Sequence, residues 1–248
     1  MKRFIALLVV TMVGVISMQE VEATNQVNVS ASATGQVVSM SKTDLLVDFT
    51  KIKVDAPINL ILKKASAGEE VRIIYDTKGN LTSKFKYEVD KNGVLVISEK
   101  VDSKRLTVTD VVVYYKTLSE AKIARATVEF ESEVVATIFD LSVSNGATVT
   151  LSIKTLDASV ECTGTSSLVI GGETKYLTMR VSTAKVDCGR LSTVSTTVES
   201  SHSAEVRVMV SERLEATTST NGKLFYIGAP TILRNHNALF GGSITNVH

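Results

Sequence analysis

Asn145-Gly146-Ala147-Thr148-Val149-Thr150-Leu151-Ser152-Ile153 opens on a tight, small-residue patch and runs straight into apolar/polar alternation. Asn and Gly accept the positive φ of a sharp corner, and alternation at period two is the mark of a strand with one buried face. The pair returns along the second half of the chain. Its corner patches are Arg125-Ala126-Thr127, Thr163-Gly164-Thr165-Ser166, Ser182-Thr183-Ala184, Ser201-His202-Ser203, Thr220-Asn221-Gly222 and Phe240-Gly241-Gly242-Ser243. Segments opening with an aliphatic residue start at Leu118, Ile138, Leu156, Leu177, Val194, Leu214 and Ile232, so the unit is about 19 residues long. A unit of that length cannot bury its inward face alone. Stacked on its neighbours it becomes one coil of a β-solenoid, and seven coils at about 4.8 Å each give a rod of roughly 33 Å. The competing architecture is a β-sandwich, whose strands also come every 8–12 residues. The recurring corner chemistry favours the solenoid.

Upstream the signals are also β throughout. Asp48-Phe49-Thr50-Lys51-Ile52-Lys53-Val54 alternates strictly, and Ile58–Leu62, Val71–Tyr75 and Val111–Tyr115 read as further strands. Phe85–Val89, Asp90-Lys91-Asn92-Gly93 and Val94–Ile97 read as a hairpin, because Asn-Gly tolerates positive φ. The expected organisation is a signal peptide over 1–23, a polar leader or linker over 24–44, a β-rich section over 45–117 and the repeat β-helix over 118–248.

The first 23 residues carry Lys2 and Arg3 before a mostly apolar run, Phe4–Met18, and close on Val21-Glu22-Ala23. Fifteen residues of helix fall short of the ~20 needed to span a bilayer, so the segment reads as an export signal and the chain as periplasmic, outer-surface or extracellular. No later run reaches the length of a transmembrane helix. Lys plus Arg number 27 against 26 acids, and no basic cluster exceeds Lys63-Lys64. A nucleic-acid partner is therefore not expected.

Little in the sequence points to chemistry. An even count in an oxidising compartment invites a disulfide, but Cys162 and Cys188 sit at different phases of adjacent coils, which favours two small buried thiols over a bridge. Without Cys-x-x-Cys or paired His, no metal site is expected. His202 lies beside Ser201 and Ser203 with Asp187 one coil away, but hydroxyls fill every corner and no nucleophile elbow occurs. The acids of the second half, Asp140, Asp157, Glu161, Glu173, Asp187, Glu199, Glu205, Glu212 and Glu215, are scattered singly and read as solvated faces. No cofactor fingerprint is present; Gly171-Gly172 is a lone turn. The candidate site is the ridge of stacked corners itself: Asn145, Gly146, Gly164, Thr165, Asn221, Gly222, Gly241 and Gly242. Such a ridge would offer backbone amides and small polar groups to a glycan, or would be no more than turns the fold requires.

Phe49–Val54 leading into Ile58-Asn59-Leu60-Ile61-Leu62, then Leu95-Val96-Ile97, Val113-Tyr114-Tyr115-Lys116-Thr117-Leu118 and the Gly/Ala–Ser/Thr corners, make an ordered series. It ends in Tyr226-Ile227-Gly228-Ala229-Pro230 and Gly241-Gly242-Ser243-Ile244. Over roughly residues 45–247 this series resembles the auto-transporter adhesin head GIN domain family of Bacteroidetes-type bacteria. The resemblance implies a right-handed parallel β-helix, pectin-lyase-like in shape. It also implies an exported adhesion protein, a possible homo-oligomer, and no established catalytic residues. Arg125-Ala126-Thr127 and Ser201-His202-Ser203 depart from the family's Ser-Gly-Ala-Ser corner, which puts a ligand site in those two coils in doubt. The expected function is a non-enzymatic binding module whose partner is a glycan or a surface protein. The alternatives are a carbohydrate-active enzyme on the same fold, which would need an acidic cluster in a groove, and a purely structural envelope protein.

Overall fold

The computed structural model describes residues 41–79, 84–100, 105 and 107–247. The readings of 1–23 as an export signal and of residues 24–40 as a leader lie outside the described residues. No helix occurs among them, and none is long and apolar enough to cross a membrane.

The chain is a β-solenoid of about seven turns, as the corner periodicity predicts. Five long strands carry most of it: β10 (Val134–Ser144), β11 (Thr148–Thr163), β12 (Ser167–Ser182), β13 (Lys185–Ser201) and β14 (Glu205–Thr218). Each pairs in parallel with the next. The seven corner patches of the sequence all fall on positive-φ backbone. Arg125, Asn145-Gly146, Gly164-Thr165, Thr183, His202-Ser203, Thr220-Asn221 and Phe240-Gly241 form one stack. Just inside it run Ala126, Ala147, Ser166, Ala184, Ala204, Gly222 and Gly242, small because the chain folds back on itself there.

Alternation loses phase once per coil. In β11 the buried residues are Val149, Leu151 and Ile153, then Ala158, Val160 and Cys162. The slip between Ile153 and Ala158 is a second bend, where Thr155 of one coil donates to Thr174 of the next at 2.8 Å. Register identifies one inward column as Phe139, Ala158, Leu177, Thr196, Leu214 and Leu233. Of the aliphatic openings quoted above, only Leu177 and Leu214 fall in that column. Leu118, Leu177 and Leu214 are buried, whereas Ile138, Leu156 and Ile232 are exposed at the second bend. A core column tolerates Ala or Thr if its neighbours fill the space, so apolar residues alone misplace the phase.

The N-terminal strands join the same sheets. These are β1 (Lys42–Leu45), β2 (Lys51–Asp55), β3 (Ile58–Lys64), β4 (Arg72–Asp76), β5 (Lys84–Val89), β6 (Val94–Lys100), β7 (Thr109–Tyr115), β8 (Glu120–Ala124) and β9 (Thr127–Phe130). The last residues of the stretch read as linker, Lys42–Asp44, belong to β1. The hairpin is present: β5 and β6 pair antiparallel across a turn in which Gly93 takes φ 70°. β2 then lies between β6 and β8, and β3 between β7 and β9, all in parallel. The chain thus lays its second coil before its first. Antiparallel β4 and β1 cover one side of the end coil and β5 the other. The far end is made by β15 (Lys223–Ile227), β16 (Ile232–Ala238) and β17 (Ser243–Asn246). Cys162 and Cys188 are both buried and free, as read from their phases.

Candidate functional site

The corner stack puts the ridge residues on one exposed edge, at the coil spacing. Asn145, Gly146, Gly164, Thr165, Asn221 and Gly241 all lie on it with positive φ. Gly222 and Gly242 do not reach the surface edge. They sit one step inside, where a Cβ on Gly222 would stand 2.6 Å from the carbonyl oxygen of Ser200 and one on Gly242 2.6 Å from Thr218 Oγ1.

One amide at each of several corners is spoken for by the next coil. Gly146 N–H donates to Gly164 O at 2.8 Å, Thr165 to Thr183 at 2.9 Å, Ser203 to Thr220 at 2.9 Å and Asn221 to Phe240 at 3.1 Å. Each corner closes on the next, because backbone donors at a stacked edge satisfy one another before solvent or ligand does. The expectation of amides offered to a ligand is corrected accordingly: what the ridge offers is side chains. Two of the three corners without Gly are explained by their contacts. Arg125 reaches back to Asp55, its Nε 2.7 Å from Oδ1 and its Nη2 2.8 Å from the carbonyl oxygen. His202 Nδ1 lies 3.1 Å from Ser182 Oγ and 3.0 Å from Ser201 Oγ, an exposed local cluster; Asp187 instead accepts from Gly189 N–H.

The strands entering the corners add a feature that the sequence reading missed. Ser144, Thr163, Ser182 and Ser201 stack beside the ridge, and Ser159, Thr178 and Thr197 form a second hydroxyl row two residues upstream of the central one. Between them Glu161, Arg180 and Glu199 alternate in charge, with Arg180 Nε 2.9 Å from Glu199 Oε2. The signal was present as Ser/Thr at fixed offsets before each corner, but only register shows that the offsets coincide.

Several of the acids are answered by bases on neighbouring coils. Glu173 meets Lys154 at 2.6 Å, and Glu205 lies beside Lys185 and Lys223. A shallow groove is lined by Glu120, Lys122, Asp140, Ser142, Ser159 and Glu161. There the hydrogen bond from Lys122, ahead of that from Lys51, holds the Glu120 carboxyl below its usual range. Glu69, Asp90 and Asp110 shift the same way. A general acid for glycoside cleavage needs the opposite shift. No group of three or more His, Cys, Asp or Glu side chains suited to a metal occurs among the described residues.

This is a solenoid whose ridge and flanking hydroxyl rows form one extended polar surface. The model of the family described as "putative auto-transporter adhesin, head GIN domain" matches residues 48–230, and the chain belongs to that family. Among solved structures it is similar to an adhesin, described as putative, from Bacteroides fragilis, with a TM-score of 0.73 and 16% identity over 84% of this chain and 97% of that one. A similarly described adhesin from Parabacteroides distasonis matches with a TM-score of 0.62 and 20% identity, covering 86% and 98%. A third, from the same species and described as a putative lipid binding protein, gives 0.64 and 15%, covering 85% and 97%. At these identities the likeness is one of fold. Among curated proteins no relative matches the chain.

Proposed function

We propose that this protein is an exported, non-enzymatic adhesion module at the cell surface or in the periplasm, and that it binds an extended polar partner, a glycan, along the corner ridge. The observation that carries this reading is the repetition of one polar edge at coil spacing. Asn145, Thr165, Thr183, Ser203 and Asn221 stand in line beside the hydroxyl rows. A linear polymer with its own repeat gains affinity from such an array by many weak contacts of the same kind. Membership of an adhesin family supports it.

A glycan-array screen of residues 24–248 tests it, because every described strand lies after residue 40. Selective binding is expected. Asn145→Gly and Asn221→Gly keep the positive φ but delete the side chains, and each should weaken binding by about tenfold with unfolding unchanged. Undiminished binding by both variants would return the ridge to turn chemistry, and silence across the array would point to a protein partner.

A second reading rests on the opposite edge. Val135, Ile138, Leu156 and Tyr176 are exposed there, Val135 and Leu156 around a shallow groove with Thr155 and Val194, and one solved relative is described as lipid-binding. An apolar ligand seated on that edge would be lost on Leu156→Asp.

A further inference from the structure

The two ends of the solenoid are finished differently. At the N-terminal end, β4 and β5 run antiparallel on the first coil with β1 antiparallel on β4, and β5 points Lys84, Lys86 and Glu88 outward. Charges on an edge strand block the addition of another chain. At the other end β16 pairs with β14 and β17 with β15, and no described strand takes their free sides. From Thr231 to Val247 the only Lys, Arg, Asp or Glu is Arg234.

That edge is also apolar. Leu233 continues the inward column of Leu177 and Leu214 yet is 50% exposed, because no described strand stacks on it; Leu239 is similarly open. Phe240 is 84% exposed and occupies the last corner at φ 48°. The six earlier corners place Arg, Asn, Gly, Thr, His or Ser in this backbone state. A bulky aromatic held there, facing water, is an outlier that calls for a reason.

We infer that the C-terminal coil, β16–Phe240–β17, is a self-association surface that takes the same coil of a second copy. The chain approaches the Phe240 corner on β16 and leaves it on β17. A two-fold axis through that corner, normal to the solenoid, therefore lays β16 of one copy antiparallel on β17 of the other, twice over. The free backbone groups of both edges are paired, the Leu233 and Leu239 side chains are covered, and the two Phe240 rings meet on the axis. Near-absence of charge lets an edge face its own copy without repulsion, and the covered N-terminal end keeps the contact from propagating into a fibre. The two ridges would then run collinear, doubling the length of the polar edge. The inference does not depend on what the ridge binds.

Light scattering on residues 24–248 at about 100 μM tests it, and the mass of two chains is expected. Phe240→Asp and Ile244→Lys put charge on the edge, and each should weaken self-association by at least about tenfold while β-sheet circular dichroism is retained. Phe240→Cys should give a cross-linked pair on oxidation, since the buried Cys162 and Cys188 cannot compete. If Phe240→Asp loses its fold, the cross-link decides. A single-chain mass for the unchanged protein overturns the inference, and so does a pair that survives both charges or fails to cross-link at position 240.

Discussion

Cys162 lies in an inward column between Val143 and Val181, and Cys188 sits beside Val208. Burial pushes the Cys162 thiol up to about 12 and raises Cys188 as well; the Tyr115 phenol is likewise pushed up to about 12 by burial. The folded chain therefore holds these protons more tightly than the unfolded chain, whose thiols titrate near 9.0 and phenol near 10.0. Their contribution to stability is fully present below the unfolded values and is lost as pH climbs through 9 toward 12. Thermal unfolding should show a midpoint level from neutral pH to about 9 that falls above it, and Cys162→Val, which matches its column neighbours, should flatten part of that fall. In the native state neither thiol should react with a maleimide, and both should react in denaturant.

Among the elements, the β6–β7 connection is held by a buried ion pair. Arg105 Nη1 lies 2.7 Å from Glu99 Oε2, both side chains almost inaccessible, and Thr109 Oγ1 donates to Glu99 Oε1 at 2.7 Å. Such a pair is a weak source of net stability but costly to break, because the survivor is left charged and desolvated. Glu99→Gln should lower the free energy of unfolding by about 3–5 kcal/mol in urea titration. Replacing both partners together with Leu should cost much less than either change alone. The exposed ladders, Arg180–Glu199 and Lys154–Glu173, should respond only to salt and only slightly.

At the scale of the molecule, stability is a sum over coils and the contacts between them. Thr148 and Ser167 hold equivalent positions on successive coils. Deleting Thr148–Ser166 therefore joins Ala147 to Ser167 with every corner and inward column kept in phase. The shortened chain should fold to a β-rich, cooperatively unfolding protein with a lower midpoint, measured by circular dichroism. Making the deletion one residue longer would put the following strand out of phase and invert its buried face, and that variant should aggregate.

What the residues determined without their neighbours is the β character, the seven corners and the burial of the two thiols. A corner is legible because positive φ depends on the residue that adopts it, and Asn145-Gly146 announces it unaided. Alternation is equally local, so Val149–Ile153 and Phe49–Val54 declare themselves. Tertiary structure alone decided which coil lies next to which, as with β2–β3 slotted between β6–β7 and β8–β9. It decided that amides such as those of Gly146, Thr165 and Asn221 are consumed by the next coil, that hydroxyls from four coils fall into one row, and that Leu233 is inward yet uncovered by any described strand. Each of these is a matter of register between distant segments, set by how whole coils pack, and no single stretch of chain carries it.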